Sequence, residues 1–229
     1  MAHSGFRRDP AAPNSEAVED YAKALHALQD RAEGPVSTSA LAERLGVSPG
    51  SVTAMLKKMG ELGLVEHEPY HGARLTPPGE RVALEVIRHH RLLESYLAEV
   101  LGMPWDRVHN EAEVLEHYIS EDLEELIAAA LGDPERDPHG DPIPDRDLAL
   151  DLEPATPLAE LDAGHRGTFA RVSDSDPEML RFLAERGIRP GASVAVAERE
   201  PFGGSVAIEV DGAAHTIGSE LAQRMLITA

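Results

Sequence analysis

A run of acidic and histidine side chains from His109 to His117 carries several candidate metal ligands at short, regular intervals. The apolar positions in and after this run repeat at helical spacing, which predicts one helix over residues 105–131. Glu113, Glu116 and His117 are then expected to share a face, because residues three and four apart are neighbours on a helix. His109 lies one turn earlier on nearly the same side. Burying these groups together is costly without a positive charge between them, and a divalent metal would supply it. A solvated acidic face is the alternative explanation of this run alone.

A second pair of candidate ligands, His90 and Glu94, lies four residues apart in the preceding apolar-striped stretch. One helical turn brings the two side chains together. Taken alone, such a pair is more often a local hydrogen bond than a pair of metal ligands.

The composition is that of an ordinary globular protein with an uneven distribution of acid. Hydrophobic residues make up 42% of the 229 residues and charged residues 27%, and there is no cysteine. The absence of cysteine excludes disulfides, thiolate catalysis and thiolate-ligated metals. The formal net charge is −20, but residues 1–82 carry 9 Lys and Arg against 11 Asp and Glu. That part could therefore still offer phosphate groups a local basic surface. With no signal-peptide pattern and no bilayer-length apolar run, we expect a cytoplasmic location and no membrane partner.

The first 82 residues have the pattern of a winged helix-turn-helix, a DNA-binding fold. After an amphipathic helix beginning near Ser15, a short helix at 37–45, a turn containing Gly46 and a second helix from Ser48 to about Met59 follow one another. Two strands, 64–68 and 73–76, joined by a turn at 70–72, predict the wing. Small hydroxylated residues at the start of the second helix suit bases and phosphates, and basic residues suit the phosphate backbone. The candidate DNA-binding residues are Ser48, Pro49, Gly50, Ser51, Thr53, Lys57, Lys58, His71 and Arg74.

The remaining sequence predicts a helical region and a small β domain. A long helix from Thr76 to about Val100 and the helix over 105–131 both carry apolar stripes, which indicates a dimerisation surface. Residues 132–157 form a linker rich in Pro and Asp, with no helix or strand expected. From Leu158 onward about five short strands and two short helices, near 177–186 and 219–224, predict a partly open barrel.

The order of these parts resembles the diphtheria toxin repressor family of iron- or manganese-dependent transcriptional regulators. The resemblance rests on the H-x-x-x-E and H-x-x-x-E-x-x-E-H motifs and the P-H-G-D-P-I-P segment at 138–144, and it covers residues 15–229. It implies a mainly α protein with a small β part: a winged helix-turn-helix domain at 15–82, a helical metal-binding and dimerisation domain at 83–150, and an SH3-like β-barrel, the FeoA type, at 160–229.

The resemblance also implies two metal sites per chain. The primary site would use Asp20, Glu113, Glu116 and His117. Asp20 and Glu113 stand where the iron-sensing branch typically has Met and Cys, so the chain resembles the manganese branch, and hard carboxylates agree with Mn²⁺ as the metal and Fe²⁺ as the alternative. Lys23 replaces an acid of the two-domain manganese regulators, which favours an ancillary second site. That site would use His90, Glu94, His109, Asp176 and Glu178.

The function implied is a metal-dependent, homodimeric repressor that binds a double-stranded DNA operator and controls metal-ion homeostasis. Two alternatives stay open from the residues alone. One is a hydrolase-like metalloenzyme with Glu111 as general base, although no nucleophile motif accompanies the site. The other is a metal-independent DNA-binding dimer whose acidic helices are simply solvated.

Overall fold

The computed structural model describes residues 15–29, 34–68 and 71–228. The chain forms two compact units, residues 1–88 and residues 89–229, here called the N-terminal and C-terminal units. In the described ranges, no helix has both the length and the apolar character needed to cross a membrane.

The described part of the N-terminal unit consists of three helices, a two-stranded sheet and residues 77–88 of a long helix. Val52, Leu56 and Met59, which are three and four residues apart, are fully buried with Leu25 and Leu41, so helical periodicity builds this core. Residues 69–70, the first part of the predicted wing turn, lie outside the described residues. The elements are α1 (Glu16–Gln29), α2 (Thr38–Leu45), α3 (Pro49–Glu61), β1 (Val65–Glu68) and β2 (Gly72–Leu75).

Local sequence signals set the turn between α2 and α3. Ser37 caps α2 by accepting a hydrogen bond from the Ala40 amide, and Gly46 ends the helix in the left-handed conformation, with φ of 65°.

The wing strands pair antiparallel, and Gly72, with φ of 96°, follows the turn. A Cβ on Gly72 would lie 2.7 Å from the Val36 carbonyl oxygen, so only glycine allows this approach.

The long helix predicted from Thr76 is α4 (Pro77–Glu99). The prediction of one helix over 105–131 is wrong, because the structure has α5 (Val108–Leu115) and α6 (Glu121–Leu131) with a turn between them. Ser120 adopts extended backbone and its side chain accepts a hydrogen bond from the Leu123 amide, which starts a new helix. Acidic residues in the first turn of α6 suit the positive end of its dipole. Glu116 and His117 therefore lie on the turn after α5.

The Pro- and Asp-rich segment after α6 packs as an irregular loop, as predicted, except that Thr156–Pro157 at its end form a two-residue strand that was not expected. One carboxylate oxygen of Asp137 accepts hydrogen bonds from the amides of His139 (2.8 Å) and Asp141 (3.0 Å), which fixes the loop conformation. Gly140 packs against strand residue Ala170 so closely that a Cβ would lie 2.0 Å from the Ala170 carbonyl oxygen. His139 is completely buried.

The rest of the C-terminal unit is a six-stranded antiparallel sheet with two short α-helices. The strands and helices predicted after Leu158 are present, and the sheet is not closed into a barrel. The strand order is β3-β8-β4-β5-β6-β7, and the edge strands β3 and β7 do not pair, so the sheet is open. Strand β3 has two residues and pairs with β8, which is too little backbone to close the sheet. The elements are β3 (Thr156–Pro157), β4 (Arg166–Val172), α7 (Pro177–Glu185), β5 (Ser193–Arg199), β6 (Val206–Val210), β7 (Ala213–Ile217), α8 (Ser219–Arg224) and β8 (Met225–Thr228).

Candidate metal centres and nucleic-acid interface

Three of the predicted ligands lie together at the end of α5. Glu116 is 1% exposed, and its carboxylate contacts Nδ1 of His90 on α4. Oε1 of Glu113 lies 3.7 Å from the same ring nitrogen, and Nε2 of the buried His117 lies 3.6 Å from Oε1 of Glu116. One ligand atom from each of His90, Glu113 and Glu116 lies within 4.8 Å of the others. This is a converging set of oxygen and nitrogen donors.

His89, which the sequence analysis passed over, holds the turn that carries Glu116. Its Nδ1 donates to the Glu116 backbone carbonyl at 3.1 Å, and its Nε2 lies 2.8 Å from a carboxylate oxygen of Glu124 on α6. The adjacent histidines of α4 thus have different contacts. His89 contacts the Glu116 backbone and Glu124, whereas His90 contacts the candidate ligand side chains. The sequence feature that could have drawn attention to His89 is that it directly precedes the candidate ligand His90 on an apolar-striped helix.

A second cluster lies beside the first and includes three predicted residues. Nε2 of His90 is 3.0 Å from Oε1 of Glu94, and Nδ1 of His109 is 3.4 Å from the same oxygen. The fourth member is Asp174, whose Oδ2 lies 2.9 Å from Nδ1 of His109. The ligand atoms of these four residues lie within 4.8 Å of one another. Two histidines and two carboxylates meeting around one point is a donor set that suits a divalent transition metal.

The structure places Asp176 and Glu178, the predicted ligands from the β domain, outside this cluster. One oxygen of Asp176 accepts hydrogen bonds from the amides of Glu178 (2.9 Å) and Met179 (3.3 Å), so its side chain caps α7. The side chain of Glu178 is 89% exposed and lies 4.0 Å from Arg181. An Asp directly before a Pro at the first helical position is a capping signature, and it could have identified Asp176 as a cap and left Asp174 as the candidate ligand.

The charges in the second cluster balance one another. The hydrogen bond to Asp174 and the nearby carboxylate of Glu94 raise the pKa of His109 to about 10. Burial by itself would raise the pKa of Glu94, but His90, His109 and His139 outweigh that effect and hold this pKa well below the usual value. Glu94 is therefore an ionised carboxylate in a buried position, which requires positive partners.

The observation that tests whether a metal fits is the carboxylate of Glu94. It is fully buried, and among the described residues no donor of good hydrogen-bond geometry reaches either oxygen, although ring nitrogens lie 3.0–3.5 Å away. The lone pairs of the Glu94 oxygens are therefore not used by hydrogen bonds and can be donated to a metal ion. The residues present fit a divalent cation.

Asp20, the remaining predicted ligand of the primary site, belongs to the N-terminal unit. It is half-buried on α1, between the buried Glu19 and Tyr21. The half-buried Lys23 lies three residues further along the same helix.

The candidate nucleic-acid interface is the start of α3 with the wing. The Ser48 hydroxyl accepts from the Ser51 amide (3.1 Å) as the cap of α3, and the Thr53 hydroxyl donates to the Pro49 carbonyl (2.9 Å). These two hydroxyls therefore also serve the helix itself. Of the predicted DNA-binding residues, Lys58 is half-buried. The others are exposed: Ser48, Pro49, Gly50, Ser51, Thr53, Lys57, His71 and Arg74.

Three family models match consecutive parts of the chain. They are the iron dependent repressor N-terminal DNA binding domain at 15–73, the iron dependent repressor metal binding and dimerisation domain at 76–145, and the FeoA domain at 156–229. Among similar proteins, the iron-dependent repressor IdeR of Mycobacterium tuberculosis is 33% identical over 86% of this chain and 90% of the relative. The diphtheria toxin repressor of Corynebacterium efficiens is 30% identical over 93% of this chain and 95% of the relative.

Solved structures give the same result. A manganese-dependent transcriptional repressor in complex with manganese is 43% identical, covers 93% of this chain and 99% of its own, and has a TM-score of 0.85. ScaR with bound Zn²⁺ is 30% identical, covers 92% and 98%, and has a TM-score of 0.75.

The fold and the two donor clusters define a metal-dependent, DNA-binding transcriptional regulator. The chain belongs to the iron-dependent repressor family. The prediction of a repressor is confirmed, and the metalloenzyme and metal-independent alternatives are set aside, because the relatives are metal-dependent repressors and not enzymes.

Proposed function

We propose that this chain is a manganese-responsive repressor that binds a double-stranded operator as a homodimer and controls metal-ion homeostasis, with Fe²⁺ as the alternative metal. The observation that carries this proposal is the chemistry of the donor set. Every candidate ligand offers an oxygen or an imidazole nitrogen, and the chain has no cysteine. Hard carboxylate donors favour Mn²⁺ relative to sites that contain sulfur.

The primary site is proposed to use Asp20, Glu113, Glu116 and His117. Glu113, Glu116 and His117 support this by lying together at the end of α5, and Asp20 is assigned by its resemblance to the family motif. Because Asp20 is in the N-terminal unit and the others are in the C-terminal unit, joint binding by all four stabilises only those arrangements that bring them together. Metal binding then raises the affinity for DNA, and DNA binding raises the affinity for metal by the same factor.

The second site is proposed to use His90, Glu94, His109 and Asp174. Asp174 replaces Asp176 and Glu178 in the proposal, because the 2.9 Å contact with His109 supports it while Asp176 caps a helix. Since Asp174 lies after β4 and the other three donors lie on α4 and α5, this site would also hold the β domain against the helices.

The roles proposed for the three segments follow the domain boundaries expected from sequence. Residues 15–82 bind DNA through α3 and the wing, residues 83–150 bind metal and form the dimer, and residues 160–229 complete the second site. Apolar side chains of α5 and α6 that a single chain leaves exposed support a dimer face there. These are Val114, Leu115, Tyr118, Leu123 and Leu126.

The experiment is a gel-shift titration of the full-length protein on DNA upstream of its own gene and of neighbouring transporter genes. Mn²⁺, Fe²⁺ (anaerobically) and Zn²⁺ are compared at buffered free concentrations, with a chelator control. We expect Mn²⁺ to promote a retarded complex that the chelator removes. Equal retardation with and without chelator would contradict metal-dependent DNA binding, and activation by Fe²⁺ alone would contradict the choice of Mn²⁺.

A further inference from the structure

His139 lies in the loop after α6, is completely buried, and is not a ligand of either proposed metal site. Its Nε2 is 2.8 Å from the backbone carbonyl of Trp105, and a carbonyl can only accept, so Nε2 carries a proton. The ring is thereby held in one orientation. Its other nitrogen, Nδ1, faces Oε2 of Glu94 at 3.5 Å.

The two oxygens of Glu94 have different partners. Oε1 faces His90 and His109, which belong to the second site, while Oε2 faces His139. The carboxylate therefore has groups facing both of its oxygens, and such neighbours orient a ligating carboxylate. His139 is thus placed to hold Glu94 with Oε1 directed at the metal position.

His139 is itself held from the other side by Trp105. The two rings stack with centroids 5.6 Å apart, and Trp105 Nε1 donates to the Leu180 carbonyl of α7 at 3.2 Å. The guanidinium of Arg189 lies 4.0 Å from the centre of the Trp105 ring. A chain of contacts therefore runs from the β domain through Trp105 and His139 to Glu94.

We propose that His139 is a positioning residue for the second metal site: it orients the carboxylate of Glu94 and links that orientation to the packing of the β domain around Trp105. This inference rests on the proposed second site. Partners of this kind typically contribute about 10- to 100-fold to metal affinity.

The nearby Asp137 does not turn this group into a third metal site. A carboxylate oxygen of Asp137 accepts from two loop amides, and its other oxygen lies 3.9 Å from the guanidinium of Arg91. A cation placed between Asp137, Glu94 and His139 would face that guanidinium, which disfavours it. The number of Mn²⁺ ions bound per chain distinguishes a positioning role for His139 from a role as ligand of a third metal.

The test measures Mn²⁺ binding to the full chain by the electron paramagnetic resonance signal of free Mn²⁺. The variants are His139→Gln, whose amide can reach the Trp105 carbonyl, and His139→Asn, whose amide nitrogen stands near the Nδ1 position facing Glu94. We expect His139→Gln to weaken the second equivalent about 10- to 100-fold with the first unchanged. His139→Asn should recover part of that loss. A residue that merely filled space would give the opposite order, because Gln is closer to histidine in length.

The emission of Trp105, the single tryptophan of the chain, gives a second readout on metal-free protein. We expect His139→Gln to keep the wild-type emission maximum, which shows that packing around Trp105 is retained. A red shift in both variants would assign any loss of metal to unpacking and overturn the proposal.

Other results also overturn it. One is wild-type affinity for the second Mn²⁺ equivalent in His139→Gln, and another is an equal loss of that affinity in both variants. A third Mn²⁺ equivalent in the wild type that both variants abolish would make His139 a ligand. His109→Ala separates the two levels of the argument. If it leaves the second equivalent intact, the proposed second site fails. If it removes that equivalent while His139→Gln does not, only the role of His139 fails.

Discussion

Of the two carboxylates proposed as ligands at the end of α5, Glu113 is the more accessible, with its side chain 39% exposed against 0% for Glu116. Glu116 is fixed by His90 and by the turn that His89 holds, whereas Glu113 has longer contacts, 3.7 Å to His90 and 3.8 Å to His109. A side chain that is close to the site and partly exposed can be exchanged with little cost to the fold. Glu113 is therefore the residue at which metal preference is most readily changed.

Glu113→Cys should shift that preference toward Fe²⁺. A thiolate is a softer ligand than a carboxylate, so Fe²⁺ should gain relative to Mn²⁺, by about tenfold in the ratio of activating concentrations. The measurement is operator binding under reducing, anaerobic conditions with each metal. Glu111→Cys, on an exposed position of the same helix, is the matched control and should keep the wild-type ratio. An unchanged ratio for Glu113→Cys would count against its assignment as a ligand.

The spacing of Glu113, Glu116 and His117 was enough to predict that they are neighbours. The prediction needs only local helical geometry, and Glu116 keeps helical backbone dihedrals although α5 ends at Leu115. The same argument failed for the β domain, since nothing local ties Asp174 to His109, 65 residues away in the chain. His139 was also beyond it. A histidine in a Pro-rich loop gives no sign that it will be completely buried.

At the scale of elements, helix caps decide where ligands can be. Ser120 starts α6 and thereby leaves Glu116 and His117 on a turn, and Asp176 starts α7 and thereby leaves Asp174 on the preceding loop. The apolar positions continue at helical spacing across 116–120, so periodicity alone predicted one helix there. Ser120 followed by acids was the competing signal, and it determined the structure.

The cap and the ligand before α7 can be separated by two substitutions. Asp176→Ala should destabilise the protein by about 1 kcal/mol, the usual cost of losing an N-cap, and leave the affinity for the second Mn²⁺ unchanged. Asp174→Ala should abolish binding of the second equivalent, and because it also removes the 2.9 Å contact with His109 it should lower the free energy of unfolding of the metal-free protein as well. Chemical denaturation and Mn²⁺ counting measure the two effects. If Asp176→Ala loses the second metal while Asp174→Ala retains it, the assignment of Asp174 is wrong.

At the scale of the whole molecule, the excess acid of residues 83–229 opposes DNA binding, and the N-terminal unit must overcome it locally. Each Lys or Arg that neutralises a phosphate releases counterions and steepens the dependence of affinity on salt. Lys57 on α3 is exposed and close to the hydroxylated start of that helix, so it is placed to make such a contact.

Lys57→Ala should weaken operator binding and reduce the slope of log affinity against log salt by about one unit, since one phosphate contact is lost. Arg199→Ala, an exposed position at the end of β5, is the control and should leave the slope unchanged. Binding isotherms at several salt concentrations with saturating Mn²⁺ supply both slopes. An unaltered slope in Lys57→Ala would remove this residue from the phosphate contacts.

Metal bound through Asp20 is proposed to couple the two units and so to control DNA binding. The most direct measurement is operator affinity by fluorescence anisotropy, with buffered Mn²⁺ and with chelator, for wild type, Asp20→Ala and the exposed control Glu16→Ala. For wild type and Glu16→Ala, Mn²⁺ should raise affinity by about 5- to 150-fold, the usual range of such coupling. For Asp20→Ala the ratio should fall close to one. A wild-type ratio in Asp20→Ala would contradict the account.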